Sequence, residues 1–502
     1  MRSFLLRFAA PVFGVFASLG AHAEAPSGEA LFYERCATCH IPTGEASTQE
    51  GRALSVEALS HKTRKAVRAA LNFGPMWLMG SQLTLEEREA VIAFLVPKEG
   101  ITPDLSTNNK CKDIAPFAPS LTQPSWNGFG NGIDNTRFQS ETSLNAGNVR
   151  KLKLKWTFGI ADTETAYGQP TIIGDRLFFG GGDGTVYSLD RQTGCTIWVY
   201  HAVTSVRTAV VVQKVGERSL AFFGDQAGNV YAVDAETGQR VWQVRPEEHR
   251  TTKITGAPQF YKNRLYVGFT SAEDVAAGFL KYPCCTFRGS VAALDAATGK
   301  QIWKTYTIAE KPHFIKKRED GVDMFGPGGA GVWGAPAIDP KRSALYIGTG
   351  DCHVVPAANT CDSVLALNLD TGQVNWHFQA TPNDAFNLSC YGEKKSETCS
   401  YPPLDLDMAQ AMILGKLPDG RDILIAGQKS GDVWGLDPDN RGKVIWRTKF
   451  GLGGATAGTK WGSAIDQENV YVGSIQKLVD DGGKKLGAPG LTAIRIADGK
   501  VV

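Results

Sequence analysis

A single phrase recurs along most of this 502-residue chain: a strand, an Asp-x-x-Thr-Gly turn, and a returning strand that carries a tryptophan. Val186-Tyr187-Ser188-Leu189-Asp190 leads through Thr193-Gly194 to Trp198, and Val230-Tyr231-Ala232-Val233-Asp234 leads through Thr237-Gly238 to Trp242. Asp295 to Trp303, Asn368 to Trp376 and, one residue longer, Asp437 to Trp446 repeat it, giving five complete copies. Asp and Gly at these positions join antiparallel strands tightly. Copies spaced by about 45 to 75 residues match a four-stranded propeller blade with loops of variable length. One blade cannot bury both its faces, so the blades must stack into a ring. A sixth copy begins at Ile494, and the text stops at Val502, one residue short of the expected tryptophan. The stretch from Cys111 to Val502 has room for about six or seven blades, so the reading is a truncated propeller with an open, sticky edge.

A different composition precedes the repeat. Arg2 and Arg7 flank an apolar run from Phe4 to Leu19 that ends in Ala21-His22-Ala23, the layout of an export signal cleaved after residue 23. Pro11 and Gly14 interrupt the run, and no second long apolar segment follows, so the expectation is a periplasmic protein with no membrane span after cleavage. Cys36-Ala37-Thr38-Cys39-His40 places two thiols where they bond the vinyl groups of haem c, followed by an imidazole for the iron. In a cytosolic chain the motif could instead be a zinc half-site; export favours haem. Ala66–Leu71 and Leu85–Leu95 have helical apolar spacing, with Thr84 as N-cap, and the region resembles a class I cytochrome c. In that resemblance Met76 is the sixth iron ligand in preference to Met79, with His61 as rival. The domains therefore read as a signal peptide over 1–23, a small all-α cytochrome c domain over 24–100, a Pro-rich linker over 101–124 and a β-propeller over 125–502.

The docking phrase resembles that of quinoprotein alcohol dehydrogenases, all-β eight-bladed propellers that hold pyrroloquinoline quinone and Ca2+ on the ring axis. Trp126-Asn127-Gly128-Phe129-Gly130, Asn135-Thr136-Arg137-Phe138 and Pro283-Cys284-Cys285-Thr286-Phe287-Arg288-Gly289 are similar to the polyvinyl alcohol dehydrogenase branch, which carries a haem c domain ahead of the propeller. The resemblance implies that Trp333, outside the docking phrase, is the flat floor under the quinone, with Thr255 hydrogen-bonded to it. Glu273, Asp351 and Asn387 are the implied calcium ligands, hard oxygen donors of the right kind. The family's base position falls on Asn387, an amide that cannot accept a proton, so Asp384 is the candidate base. Lys429 is the cation over the quinone oxygens, Arg207 a carboxylate clamp, and Trp461 lines the mouth. The implied reaction oxidises a neutral alcohol or polyol and passes electrons through the haem to an external cytochrome c.

Ten cysteines less the two haem thiols leave eight. Cys352 with Cys361 and Cys390 with Cys399 would close short loops, Cys284 with Cys285 would form the vicinal ring that relatives use as a cap, and Cys111 with Cys195 remains by elimination. Fifty-three Lys and Arg against 51 Asp and Glu give a formal charge of +2, which indicates neither nucleic acid nor an anionic surface as partner. Two rival readings stay open: a non-enzymatic propeller scaffold of the outer-membrane assembly type, and an electron-transfer protein with a decayed quinone site.

Overall fold

The computed structural model describes residues 27–37, 40, 56–60, 62–72, 76, 79–80, 83–97, 109–117, 119, 125–160, 166–278, 281–392, 394–451, 453–455, 457–474 and 490–502. The segment expected to be an export signal, Cys39 and His61 lie outside them. The chain divides into two compact units, Met1–Leu71 with Met79–Gly100 and Asn72–Leu78 with Ile101–Val502.

The first unit is helical: α1 (Gly28–Arg35), α2 (Val56–Ser60), α3 (Arg64–Asn72) and α4 (Leu85–Leu95). Thr84 closes a capping box at the start of α4, accepting from Glu87 N at 3.2 Å while its own N–H donates to Glu87 Oε2 at 2.7 Å. Helix α1 crosses α4 so closely that a Cβ on Gly28 would stand 2.0 Å from the Ala90 carbonyl oxygen, which only glycine permits. Leu31, Phe32, Val91, Ile92 and Leu95 fill the contact. Cys36 and His40 are buried against it, the Phe32 ring centroid 6.2 Å from that of His40.

The second unit is a succession of antiparallel meanders. The first sheet comprises Thr171–Ile173, Arg176–Gly180, Thr185–Asp190 and Thr196–His201; the second, Val211–Val215, Arg218–Gly224, Val230–Asp234 and Arg240–Val244. The third runs Gln259–Tyr261, Arg264–Ser271, Ser290–Asp295 and Gln301–Tyr306, with Thr252–Lys253 paired to its second strand. The fourth is Ala337–Asp339, Ala344–Gly348, Ser363–Asn368 and Val374–Gln379, and the fifth Ile413–Lys416, Asp422–Gly427, Asp432–Asp437 and Lys443–Lys449. Ala464–Ile465, Asn469–Ser474 and Gly490–Arg495 form a sixth sheet of three strands. Five apolar clusters each join one of these sheets to the next: Ile173 and Phe178 pack on Ala221 and Phe223, Phe222 and Ala232 on Leu265 and Val267, and so on to Ile425 against Val470. Face-to-face stacking in chain order is how a β-propeller buries both faces of every sheet. Among the described residues no helix is long and apolar enough to cross a membrane.

The docking phrase is the latch between sheets. Each turn glycine has a positive φ, and a Cβ there would collide with the preceding sheet's indole: Gly238 with Trp198, Gly299 with Trp242, Gly372 with Trp303, Gly442 with Trp376 and Gly499 with Trp446. The indole N–H of Trp198 donates to Ala235 O at 3.1 Å, that of Trp242 to Ala296 O at 2.9 Å and that of Trp303 to Leu369 O at 3.1 Å. Trp156, which belongs to no complete copy of the phrase, docks on Gly194 in the same way.

Two features depart from the reading of the sequence. Lys110 and Cys111, placed in the linker, bridge to Thr196 at the edge of the first sheet, where the Cys111–Cys195 disulfide fixes them. Trp126 to Thr136, read only as subfamily wording, is a hub that touches the six meanders above in turn. Trp126 pairs with Ile172, Asn127 Nδ2 donates to Val212 O, and Asn135 Oδ1 accepts from Gln259 Nε2. Ile133, Asp134 and Thr136 carbonyls accept from Ile338, Leu414 and Ile465. Buried Asn135 Nδ2 also donates to the carbonyls of Ala335, Pro336 and Met412. Ala209, Ala257, Ala335 and Ala411, each entering a different sheet, pack together with Phe129 beside it.

Between the fourth and fifth sheets, Arg342 binds Asp339 at 2.6 Å, Asp422 at 2.9 Å and Asp439 at 2.5 Å, while Lys341 and Lys416 add to Asp422. Burial alone would raise the Asp422 carboxyl, but these cations hold it far below the usual carboxylate range. A depressed folded-state pKa contributes stability above the unfolded value, near 3.9, that is lost as pH falls toward the folded one. Arg342→Ala strands the sealed Asp339, and we expect a loss of about 3 to 5 kcal/mol in urea unfolding at pH 7. The difference between wild type and variant should shrink below about pH 4. A loss under about 1 kcal/mol at pH 7 would mean that the network is decorative.

Candidate active site

In an up-down meander the turn between the second and third strands and the link to the next sheet lie at the same end, opposite the docking turns. Residues of those loops therefore converge from every sheet. Arg207 comes from the link between the first and second sheets, Thr255 and Trp333 from the links entering the third and fourth, and Trp461 from the link entering the sixth. Asp351 and Lys429 come from second-to-third-strand turns, and Asp405 and Asp407 from the approach to the fifth sheet.

They make one continuous array. The Arg207 guanidinium lies over the Trp461 ring at 4.3 Å and the Tyr167 ring at 5.0 Å. Trp461 meets Trp333 edge to face, centroids 6.3 Å apart at 86°. Lys429 Nζ stands 4.9 Å over the Trp333 ring and binds Asp405 Oδ1 at 2.6 Å and also Asp407. The ligand oxygens of Asp351, Asp405 and Asp407 all fall within 4.8 Å of one another. Thr255 Oγ1 donates to the Trp333 carbonyl at 3.1 Å, fixing the indole's backbone.

The electrostatics are lopsided. Burial, and then the neighbouring Asp407, Asp405 and Asp362, push Asp351 well above the ordinary carboxylate range. Asp405 is raised to about 9 by burial and by Asp407, against the opposing pull of Lys429. Burial also raises Asp407, but Lys429 and the hydrogen bonds from Asp351 together hold that acid below its usual value. Asp362 is raised well above by burial and by Asp384. Asp351 Oδ2 and both oxygens of Asp362 are buried without a hydrogen-bond partner. One ammonium among these carboxylates leaves the pocket short of positive charge, and the unpartnered Asp351 oxygen in a hard oxygen cluster fits a divalent cation such as Ca2+.

Glu273 is not in that cluster. Its Oε1 accepts from Thr286 N at 2.8 Å and Tyr282 Oη at 3.2 Å, its Oε2 from Phe287 N at 2.8 Å, and His353 Nδ1 stands 3.4 Å from Oε2. Burial would raise this acid, yet His353 and these donors hold it lowered. The structure thus joins Asp351 to Asp405 and Asp407 and spends Glu273 on holding the Cys284–Cys285 loop. Asn387 is likewise committed: its oxygen accepts from Ser389 N at 3.0 Å, and its amide donates to His353 O and Thr398 Oγ1 at 2.7 and 2.9 Å. Asp384 is sealed, its carboxylate accepting from Asp405 N at 3.4 Å and Leu406 N at 2.9 Å, so it anchors the loop that presents Asp405. Sequence reasoning overlooked Asp362, Asp405, Asp407 and His353. The Asp405-Leu406-Asp407 doublet was the available signal, two acids on one side of an extended segment. All four disulfides form as paired above, and two of them, Cys352–Cys361 and Cys390–Cys399, close loops beside Asp351 and Asn387.

The chain is similar to known proteins in sequence and in fold. A family model described as glucose/ethanol/alcohol dehydrogenase, beta-propeller domain, matches residues 248–390, and one described as outer membrane protein assembly factor BamB matches residues 150–278. The chain is 34% identical over 496 residues to polyvinylalcohol dehydrogenase of Pseudomonas sp, spanning 94% of this chain and 75% of that protein. The protein of the same name from Sphingopyxis sp. (strain 113P3) is 34% identical over 503 residues, spanning 95% and 75%. Among solved structures, quinohemoprotein alcohol dehydrogenase from Comamonas testosteroni superposes with a TM-score of 0.55 at 20% identity, covering 74% of this chain and 65% of that one, a likeness of fold.

Proposed function

The chain belongs to the pyrroloquinoline quinone-dependent alcohol dehydrogenases, and on that premise we propose that it is a periplasmic quinohaemoprotein that oxidises secondary alcohol groups of polyvinyl alcohol type. The observation that carries this reading is the array from Arg207 through Trp461 and Trp333 to Lys429 and its acids, in which a flat apolar face, two cations and a hard-oxygen cluster adjoin. Pyrroloquinoline quinone, when bound, supplies the two-electron oxidant. Trp333 would be its floor, Thr255 would hold that floor in place, and Arg207 and Lys429 would face its negative groups. Asp351, Asp405 and Asp407 would hold Ca2+, a set that replaces the Glu273, Asp351 and Asn387 expected from the sequence.

Asp405 is the proposed base that takes the hydroxyl proton; the repulsion from Asp407 that raises it would be offset by Ca2+ in the acid cluster, which would leave its carboxylate ionised. It is the most accessible of the clustered acids, lies against Lys429, and is presented by Asp384 through the two backbone N–H groups. Lys429 holds the negative charge that develops beside it. Asp384, the base expected from the sequence, becomes a positioning residue. Cys36, Cys39 and His40 would bind haem c, with Met76 as the expected sixth ligand, and an external cytochrome c would collect the electrons. We place the ring among eight-bladed propellers, the six stacked meanders above being part of it. The full-length protein is the test. After loading with pyrroloquinoline quinone and Ca2+, polyvinyl alcohol or a secondary alcohol should reduce the haem band. Ca2+ at about 100 times its Kd should also raise chelator-treated protein's stability by about 2.7 kcal/mol, and Asp351→Ala should erase that gain. Haem that stays oxidised with every alcohol would leave the scaffold or decayed-site reading standing.

A further inference from the structure

The link from the second sheet to the third borders a cavity that the site above does not use. It measures about 410 Å3 and is lined chiefly by the turn that carries Gln226 and Asn229 and by the segment Arg245 to Lys253, and all ten lining residues belong to the second unit. That volume is in the range that takes a small molecule. Neither the clustered acids nor Arg207, Thr255, Trp333, Lys429 or Trp461 lines it. Three of the ten are cations, Arg245, Arg250 and Lys253, and none is an acid. Among the described residues none of the three forms an ion pair, and half-buried Lys253 makes no hydrogen bond either. Asp274, the acid that bears on Lys253, is not part of the lining.

The walls are fixed before a ligand arrives. Arg245 Nε donates to Ala227 O at 2.9 Å and its Nη2 to His249 O at 3.0 Å, tying the segment to the turn, and Gln226 Nε2 donates to Ile254 O at 2.8 Å. With Nη1 on Glu248 O at 3.4 Å, Arg245 has spent three of its five N–H groups and keeps two. Arg250 rests over the Tyr282 ring at 4.9 Å. Thr252, in the same wall, is 2% exposed, and its Oγ1 has no partner, which leaves a neutral donor to spare. Charge drawn out of water without a partner costs free energy, and a rigid wall of cations without an acid favours an anion over a neutral alcohol. We propose that this cavity is a second ligand site, for a small multivalent oxyanion, with Arg245, Arg250 and Lys253 as its cationic wall and Thr252 Oγ1 as the neutral donor. The arginines offer planar forks that match carboxylate or phosphate oxygens, and Lys253 adds a point charge indifferent to direction.

The full chain is titrated by calorimetry at low salt with citrate and, separately, with inorganic phosphate, which tells a carboxylic acid from a phosphate as the occupant. No residue of the quinone site lines the cavity, so the outcome stands apart from the proposed function. At least one of the two anions should bind, and NaCl at about 0.15 M, where charges are screened over about 8 Å, should weaken it. Lys253→Met should weaken binding by roughly ten- to a hundredfold, the worth of one charge-assisted contact. Lys253→Arg should restore most of the affinity, and Thr252→Val should cost roughly two- to tenfold. Lys300→Met removes an exposed charge at a docking turn, on the opposite end of the sheets, and should leave binding within about twofold. If Lys253→Met melts below wild type, Arg250→Met, which alters an exposed residue, carries the same comparison. Protein that takes up neither anion at low salt overturns the proposal. So does a folded Lys253→Met that holds the anion as tightly as wild type, because the anion then sits elsewhere.

Discussion

Asp405→Asn lowers turnover by about 100- to 10,000-fold, the range in which a positioned general base contributes, while the quinone still binds. An amide keeps the shape of the carboxyl and its place beside Lys429, but it cannot take the hydroxyl proton. Asp384→Asn is the informative companion. Its carboxylate is sealed and spent on the Asp405 and Leu406 N–H groups, so an amide oxygen can still accept from the backbone, and the loss should be at least tenfold milder. Stopped-flow reduction of the haem by a secondary alcohol separates the two, because it reads the chemical step apart from product release. Should Asp384→Asn prove as severe as Asp405→Asn with the quinone spectrum intact, the base is Asp384 and the geometric argument fails.

Trp303→Ala removes a latch rather than a catalyst, and it should cost about 3 to 5 kcal/mol, the toll of truncating a buried aromatic. The indole is 9% exposed, hangs from Leu369 O by its N–H, and fills the space over Gly372. Gly372→Ala attacks the same latch from the other side: its Cβ would lie 2.5 Å from Trp303 Cε3, on a backbone with φ of +73°. Ile302→Ala, one residue away and 45% exposed, is the control and should change stability by less than about 0.5 kcal/mol. Urea midpoints measured on all three decide the matter. Equal midpoints for Trp303→Ala and Ile302→Ala would show that sheet faces, not the docking indoles, bind neighbour to neighbour.

What could be read from residues alone follows the range of the interactions. The docking phrase was legible because its turn chemistry is local: Asp190 Oδ1 accepts from Thr193 N and Oγ1 at 2.7 Å each, within one tight turn. Trp333, Lys429, Thr255, Arg207 and Trp461 were found through short motifs, and the structure gathers them. Asp351 and Asp405 sit on different sheets and meet only when the ring forms, so nothing near either announces the other. Asn387 shows the opposite case. Its resemblance to a family motif implied a metal ligand, and Asn387-Leu388-Ser389 is a local cap whose side chain is engaged by a backbone N–H nearby. Glu273 was drawn the same way, by the Thr286 and Phe287 N–H groups of the rigid cysteine loop.

The hub at Trp126 to Thr136 dictates a timetable. Asn135 leaves the ribosome early, yet the carbonyls it holds belong to residues as many as 277 positions later. At about 5 to 20 residues per second that partner arrives roughly 15 to 55 s afterwards. Until then the segment is an axle without its wheel: each meander can fold against the last, but the spokes share no common centre. Nascent chains therefore spend most of their synthesis as open arcs with apolar end faces, the state in which a chaperone is most needed and in which a second copy is the nearest wrong partner.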